Sequence, residues 1–281
     1  MEKLIPTRLT TLGHPQRLAI FRLLMRRYPD RVAAGEIAGA LELKASTLSA
    51  YLAALMQAGL VTQDRVGTSL LYTVDMSAVQ QTLDYLLLDC CRGRPELCTP
   101  FENGTKLVTQ SLPEGRFNVL FICSGNSARS IFAECILRDF AGDRFNVFSA
   151  GTRPGSQLNP VALQLLVTKG HDVTQLRSKD ISEFHKEGAP QFDFVFTVCD
   201  QAANEDCAAW PGQPITGHWG VPDPVKVQGS AAEKALAFQE AYGALARRIE
   251  IFAALDVKAL GRLSLQQQID HIGRIPQRNQ S

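Results

Sequence analysis

Long apolar runs are absent from this sequence of 281 residues, and no stretch approaches the roughly 18–20 apolar residues needed to span a bilayer. The first residues, MEKLIPTRLTTLGHPQR, lack the apolar core of a secretory signal. An excess of one charge is also missing, because 29 Lys and Arg stand against 28 Asp and Glu. The chain as a whole is therefore not a polycation that coats nucleic acid. We expect a soluble, cytoplasmic protein with no membrane partner.

Histidine is scarce, with five residues, whereas cysteine occurs seven times. In a chain without a secretory signal, cysteines are expected to be reduced thiols with chemical roles and not a disulfide scaffold. Most of them fall into two groups, one near the end of the first third and one later in the chain. The groups are Cys90, Cys91 and Cys98, and then Cys123, Cys199 and Cys207. This placement predicts two thiol sites on two domains.

The first part of the chain, residues 1–98, is mainly helical. Apolar spacing predicts a helix over 9–27, a short helix, a third helix over 47–58 capped by Ser46, and a β-hairpin around Gly67. A last helix over 77–89 leads into the first cysteine group. Helix, turn, helix and hairpin in this order are typical of a winged helix-turn-helix domain.

The second part changes to strands that alternate with helices. Residues 99–115, rich in Pro, Gly, Asn and Thr, are predicted to be a linker, and residues 116–257 an α/β domain. Its four apolar runs, FNVLFI, NVFSAG, FDFVFTV and ITGHWG, predict a four-stranded parallel sheet with helices on both faces. The tail, 258–281, is predicted to pack back as a small helix.

A segment with chemical meaning follows the first of these strands: Cys123-Ser-Gly-Asn-Ser-Ala-Arg129-Ser130. Backbone N–H groups of a tight loop and of a helix start converge on one point and bind an anion there. The same field favours a thiolate at Cys123, and the planar fork of Arg129 suits two oxygens of a tetrahedral anion. Ser130 can donate a hydrogen bond to the thiolate, and Asn126 can hold the loop in shape. The predicted oxyanion-binding residues are Ser124, Gly125, Asn126, Ser127, Ala128 and Arg129.

The run FICSGNSARSIFAE resembles the phosphate-binding loop of the low-molecular-weight protein tyrosine phosphatase superfamily, over roughly 116–257. HWGVPDP resembles the Asp-Pro loop of that fold, and the resemblance implies that Asp223 is the general acid. The superfamily contains phosphatases and arsenate reductases, and both use the same nucleophile and anion loop. Phosphatases typically follow Asp-Pro with tyrosine, whereas Val225 stands here.

FTVCDQAANEDCAAWPG resembles the segment of superfamily arsenate reductases that carries two further cysteines. The resemblance implies that Cys199 attacks the arsenylated Cys123 and that Cys207 then takes over the disulfide. Seven residues separate Cys199 from Cys207, one more than the thioredoxin-coupled branch has. The reductant therefore stays open between thioredoxin and a glutaredoxin–glutathione couple, with no tightly bound cofactor. Cys135 lies among apolar residues of the following helix and is predicted to be in the core.

Residues 5–80 resemble the ArsR family of metal-responsive winged-helix repressors. The resemblance implies a homodimer whose recognition helices enter successive major grooves of operator DNA. Residues 1–70 carry nine Lys and Arg against five Asp and Glu. This segment therefore has a net positive charge, as binding to DNA phosphates requires. The candidates for DNA contact are Lys44, Ser46, Thr47, Ser49, Tyr51, Arg65 and Thr68.

The run DCCRGRPELC supplies Cys90, Cys91 and Cys98 with no histidine nearby. Three thiolates suit a three-coordinate thiophilic ion such as arsenite, with zinc or cadmium as the alternative and no other metal expected. The pattern resembles the arsenite site of some ArsR repressors.

The chain is thus interpreted as a fusion of an arsenite-responsive repressor with an arsenate reductase. The alternatives are a phosphatase fused to a regulator, and a regulator whose second domain senses an oxyanion or redox state without turnover.

Overall fold

The fold is taken from a computed structural model, in which residues 4–90, 115–155, 157–205 and 210–276 are described. The chain divides into two compact units, Met1–Ser111 and Leu112–Ser281. Three predicted site residues lie outside the described residues: Cys91, Cys98 and Cys207. Among the helices of the described residues, none combines the length and apolar character that crossing a bilayer requires.

The first unit contains five α-helices and a three-stranded antiparallel sheet within its described residues. The helices are α1 Leu4–Leu12, α2 Pro15–Arg27, α3 Ala34–Ala40, α4 Ala45–Gln57 and α5 Met76–Asp84. The strands are β1 Val32–Ala33, β2 Val61–Val66 and β3 Ser69–Val74, in the order β1-β3-β2. The order of elements confirms the predicted winged helix-turn-helix fold, with β1 as an addition that the sequence pattern did not show.

The predicted helix over 9–27 is wrong, because the chain breaks at Gly13 and His14 between α1 and α2. Pro15 occupies the first turn of α2, and His14 before it is extended, with φ −93° and ψ 127°. A residue before proline is driven out of the helical region by the proline ring, which ends one helix and begins the next.

Two helix boundaries in the first unit also differ from the prediction. The recognition helix α4 begins at Ala45, and its N-cap is Lys44, without a side-chain cap bond, so Ser46 is not the cap. Helix α5 ends at Asp84 and continues as a π-helical turn, Tyr85–Cys90, where a single helix over 77–89 was expected. Gly59 follows α4 with φ +68°, the left-handed conformation that glycine commonly adopts just after a helix.

The second unit is built on a four-stranded parallel sheet, as predicted. Its strands are β4 Phe117–Cys123, β5 Phe145–Gly151, β6 Phe194–Thr197 and β7 Ile215–His218, in the order β5-β4-β6-β7. The helices are α6 Arg129–Ala141, α7 Pro160–Thr168, α8 Asp200–Asn204, α9 Ala231–Ala254 and α10 Arg262–Gly273. Single 3₁₀ turns occupy Ile181–His185 and Pro224–Lys226.

The register of the sheet brings the carboxyl ends of its strands to one edge. Cys123 pairs with Gly151, Ile122 with Thr197, and Thr197 with His218. The chain runs from the central strand β4 outward to β5 and then back to β6 on the other side. Ligands of open parallel sheets bind where the strand order reverses in this way, which is beside Cys123.

Aromatic rings and the C-terminal helix complete the core of the second unit. Phe196 stacks on Trp219 with ring centroids 4.0 Å apart. Helix α10 covers the edge strand β7: the Trp219 indole N–H donates to the Ile269 carbonyl at 3.2 Å, and Gln266 donates to the Thr216 carbonyl. Within the described part of the tail, Leu265, Ile269 and Ile272 are buried, as predicted for a helix that packs back.

Candidate active site

The loop between β4 and α6, which we call the cradle (residues 123–130), lies at the carboxyl edge of the sheet. Its carbonyls are held by the segment 152–159. The backbone N–H groups of Thr152, Arg153, Gly155 and Asn159 donate to the carbonyls of Cys123, Ser124, Gly125 and Ser127 at 2.8–3.3 Å. Since these carbonyls bond outward, the loop can turn its N–H groups toward a common anion-binding point.

The sulfur of Cys123 is buried, at 2% exposure of the residue, and accepts two hydrogen bonds. The backbone N–H of Asn126 donates to it at 3.2 Å, and Ser130 Oγ lies 3.0 Å away. Asn126 Nδ2 donates to Ser130 Oγ at 2.8 Å, so the hydroxyl hydrogen of Ser130 is left to donate to the sulfur. Both groups therefore hold the Cys123 sulfur in place at the base of the cradle.

Asn126 lies within the cradle in a left-handed backbone conformation with φ 43°. Its side chain is fully buried. Its amide donates to Ser130 and Ser149, and its carbonyl oxygen accepts from the backbone N–H of Lys179 at 2.7 Å. These hydrogen bonds of the Asn126 side chain stabilise a backbone conformation that L-residues seldom adopt.

Below Asn126 lies a buried ionic network that the sequence analysis missed. Lys179 Nζ is 2.9 Å from Glu134 Oε2, and Ser149 Oγ donates to the same oxygen at 2.5 Å. The Lys179 and Glu134 side chains are 9% and 10% exposed. No local motif links residues 45 positions apart, so the pair could be found only once the fold was known.

The glycine that the cradle requires is Gly151, which the sequence analysis did not single out. A Cβ on Gly151 would lie 2.7 Å from the Ser124 carbonyl oxygen and 3.1 Å from the Asn126 nitrogen. A Cβ on Gly125 would meet only Ser127 Oγ at 3.6 Å, which is an ordinary contact. The close approach of Gly125 to an anion stays a prediction.

Arg129 and Asp223 face each other across the mouth of the cradle. Arg129 Nη2 is 2.7 Å from Asp223 Oδ2, and Nη1 is 3.4 Å from the Val221 carbonyl oxygen. The two side chains are 10% and 20% exposed. The structure thus brings the predicted anion-binding arginine and the predicted general acid together, although they are 94 positions apart in the chain.

Cys199 lies at the edge of the cradle, just beyond the end of β6. Its Sγ is 3.4 Å from Ser124 Oγ and accepts the Ala202 N–H at the start of α8. Burial raises the pKa of the Cys199 thiol, and the positive charge of Arg129 offsets part of that rise. Cys135 is fully buried in the core, as predicted, and burial raises its pKa to about 12, which makes it unreactive.

The first unit places most of its predicted DNA-contact residues at the surface. Lys44, Ser46, Ser49, Arg65 and Thr68 are exposed, whereas Thr47 and Tyr51 are half-buried. Tyr51 packs against the His14 ring, with centroids 4.9 Å apart. Cys90 is exposed at the end of the π-helical turn. The DNA-contact and arsenite-binding assignments stay predictions.

Comparison with known families identifies both units. The sequence profile of a helix-turn-helix domain matches residues 12–64. The profile of the low molecular weight phosphotyrosine protein phosphatase family matches residues 118–263, more than half of the chain. The chain belongs to this phosphatase family. It joins a helix-turn-helix domain to a member of the family.

Several curated relatives of the phosphatase-family unit are named arsenate reductase. The protein from Oceanobacillus iheyensis is 35% identical over 135 residues, which are 48% of this chain and 94% of that protein. The protein from Bacillus licheniformis is 36% identical over 135 residues, with the same two shares.

A solved structure of a thioredoxin-dependent arsenate reductase from Corynebacterium glutamicum also matches this phosphatase-family chain. It is 24% identical, with a TM-score of 0.36. The match covers 48% of this chain, which spans 62% of that one.

Proposed function

We propose that the second unit is an arsenate reductase that works through successive thiols. The observation that carries this proposal is the position of Cys199, whose sulfur contacts Ser124, the residue that follows the nucleophile Cys123. A phosphatase needs one thiol and water, whereas reduction of arsenate needs a second thiol beside the first. The relatives named arsenate reductase support the same activity.

The first step is attack of the Cys123 thiolate on arsenic. The loop N–H groups and the Arg129 guanidinium hold the remaining oxygens, and Asp223 protonates the oxygen that leaves as water. Arg129 exchanges its contact with Asp223 for the anion, which frees the carboxyl group for this proton transfer. A sulfur–arsenic(V) bond results.

The second step transfers two electrons to arsenic. The Cys199 thiolate attacks Cys123 Sγ, a sulfur–sulfur bond forms, and the sulfur–arsenic bond breaks with its electron pair going to arsenic. Arsenic(V) becomes arsenic(III) and leaves as arsenite. The two cysteines have together lost the two electrons that arsenic gained.

The third step moves the disulfide outward. Cys207, which is outside the described residues, attacks Cys199 and releases Cys123 as a thiolate. An external dithiol, either thioredoxin or a glutaredoxin–glutathione couple, then reduces the Cys199–Cys207 disulfide. No tightly bound cofactor takes part.

Phosphoester hydrolysis by the same cradle is the second candidate activity. The cradle and the Arg129–Asp223 pair would serve it equally well. The residue after Asp223-Pro224 is Val225, which is 48% exposed. Valine offers no aromatic ring to stack on an aryl phosphate, which disfavours a phosphotyrosine substrate.

Purified full-length protein distinguishes the two activities. With thioredoxin, thioredoxin reductase and NADPH, and in parallel with glutaredoxin and glutathione, we expect arsenate to drive NADPH consumption. Arsenite should appear in equal amount. Hydrolysis of p-nitrophenyl phosphate should be far slower. Fast hydrolysis without arsenite would favour the phosphatase, and neither activity would favour a sensor that does not turn over.

We further propose that the first unit is an arsenite-responsive repressor that binds operator DNA as a homodimer. The exposed residues of α4 and of the β2–β3 hairpin support DNA contact, since a recognition helix and a wing commonly make it. The exposed Cys90 supports a thiol site at the end of the π-helical turn. The product of the second unit would then be the ligand of the first.

Replacing Cys90 tests the proposed sensor. We expect Cys90→Ser to bind operator DNA as tightly as the parent protein and to lose release by arsenite, because two thiolates hold arsenite more weakly than three. Fluorescence anisotropy of a labelled operator measures both properties. Cys135→Ser, in the core of the other unit, is the matched control. If arsenite releases the Cys90→Ser variant from operator DNA as readily as it releases the parent protein, Cys90 is not part of the arsenite site.

A further inference from the structure

Helix α8, which follows Cys199, has little stability of its own. It comprises five residues, Asp200–Asn204, and helices this short are unstable in water without tertiary contacts. Its N-cap acceptor is Cys199 Sγ, and thiol sulfur is a weak acceptor. Burial of Ala202 and Ala203 contributes, but two methyl groups bury little area. The position of the Cys199 sulfur therefore depends on what anchors α8 from outside.

The first anchor joins the start of α8 to strand β7. Asp200 Oδ1 lies 3.1 Å from His218 Nε2, and His218 Nδ1 lies 2.8 Å from Thr197 Oγ1. The two ring nitrogens of His218 thus link Thr197, at the end of β6, to Asp200, at the start of α8. The His218 side chain is completely buried. A fully buried ring held from a neighbouring strand is a rigid attachment point for a flexible carboxylate.

Gly220 leaves room for this anchor. A Cβ at that position would lie 2.6 Å from Asp200 Oδ1 and 2.7 Å from His218 Nε2. Such distances are shorter than van der Waals contact. The absence of a side chain at Gly220 is thus a condition for the contact between Asp200 and His218.

The second anchor joins the residue after α8 to the cradle. Glu205 Oε1 is 3.3 Å from Arg153 Nη2. In the described parts of the chain this oxygen is buried without a hydrogen-bond partner, and the Arg153 side chain is 73% exposed, so the contact is an electrostatic one at the surface. The backbone N–H of Arg153 donates to the Ser124 carbonyl at 2.8 Å. The far end of α8 is therefore tied to a residue that is itself bonded to the cradle.

We propose that these two contacts, the Asp200–His218 hydrogen bond and the Arg153–Glu205 ion pair, position Cys199 for its attack on Cys123. We call them the α8 clamp. The proposal rests on the thiol reaction proposed above. None of the four residues touches the two reacting sulfurs in the described contacts, so they are positioning residues. Each of the two contacts holds one end of α8, and Cys199 lies directly before that helix. The attack of one sulfur on another depends on how the two are aligned.

The test uses the full chain carrying Cys207→Ser, so that the reaction stops at the Cys123–Cys199 disulfide. Arg153→Gln and Asp200→Asn each weaken one end of the clamp. Arg153→Lys keeps the positive charge and should therefore form the Cys123–Cys199 disulfide at the rate of the parent protein. Arg31→Gln breaks an exposed ion pair with Asp64 in the other unit and is the matched control.

Three measurements are made on each variant by mass spectrometry. The first is the rate of Cys123–Cys199 disulfide formation in a single turnover with arsenate. The second is the same rate with diamide, which accepts the two electrons and two protons in place of arsenate. The third is alkylation of Cys123 by iodoacetamide, which reports the cradle without requiring Cys199.

We expect Arg153→Gln and Asp200→Asn to slow disulfide formation about three- to tenfold, more than exposed ion pairs usually contribute because alignment is lost. Cys123 alkylation should stay within about twofold, since the two cradle donors to its sulfur are unchanged. Arg153→Lys and Arg31→Gln should match the parent.

If Arg153→Gln and Asp200→Asn both form the disulfide at the rate of the parent protein, the α8 clamp does not position Cys199. An equal loss of alkylation would also overturn it, because the residues would then support the cradle and not α8. Failure of the proposed function is seen separately, as a parent that forms no disulfide with arsenate. The diamide rates would still rank the variants in that case.

Discussion

Cys199→Ser should lower steady-state arsenate reduction by about 100-fold or more, while the cradle still binds arsenate. A serine hydroxyl cannot form the disulfide that carries two electrons away from Cys123. The structure places the Cys199 sulfur against Ser124, so this thiol is at hand for the attack. Turnover is measured by coupled NADPH oxidation, and arsenate binding by protection of Cys123 from iodoacetamide.

Cys135→Ala is the matched control for this experiment. Cys135 is buried, its pKa is raised to about 12, and it has no role in the proposed reaction. We expect this variant to retain turnover within about threefold, given the small volume change. If Cys199→Ser keeps turnover and Cys123→Ser loses it, an external thiol attacks Cys123 directly and the internal sequence of thiols is wrong.

Lys179→Met should destabilise the second unit by about 3 kcal/mol or more, because it leaves the Glu134 carboxylate buried without its ammonium partner. For a unit of this size, the melting temperature should fall by roughly 6–12 °C. Trp210 and Trp219 are the two tryptophans of the chain and both belong to this unit. Tryptophan fluorescence therefore follows its unfolding.

Two further variants establish the cause of that loss. Adding Glu134→Gln to Lys179→Met should recover at least half of the stability, since the buried negative charge that lost its ammonium partner is then gone. Arg177→Met removes a more exposed ion pair with Glu183, and we expect it to cost below about 1 kcal/mol. If Lys179→Met itself lowers the free energy of unfolding by less than about 1 kcal/mol, the buried network contributes little to stability.

Local patterns predicted the fold class and the position of the Cys123–Ser130 loop between a strand and a helix, because both depend on short stretches of sequence. The strand, the Cys123–Ser130 loop and the start of α6 follow one another without interruption, and backbone geometry alone makes such a loop an anion site. The break at Gly13 and His14 is also encoded locally, in Pro15, but a helix tolerates proline near its start, and the apolar spacing over 9–27 favoured a single helix.

Contacts between distant segments could not be predicted in the same way. Lys179 and Glu134 are ordinary surface residue types, and only their shared burial reveals a role. His218 was part of the HWGVPDP resemblance, but its contact with Asp200 arises from the pairing of β6 with β7. Arg153 and Glu205 likewise meet only because the segments after β5 and β6 end at one edge of the sheet.

The amino-acid sequence by itself determined the two kinds of domain and the loop that carries Cys123 and Arg129, and it predicted the roles of the cysteines. Each of these depends on residues close together in the chain, where helix and strand periodicity and loop geometry decide the structure. The tertiary structure alone decided that Cys199 reaches the cradle, that Asp223 faces Arg129, and that the Lys179 backbone N–H and the Ser149 hydroxyl bond the side chain of Asn126. These contacts are set by strand order and register, which bring together side chains that no local pattern connects.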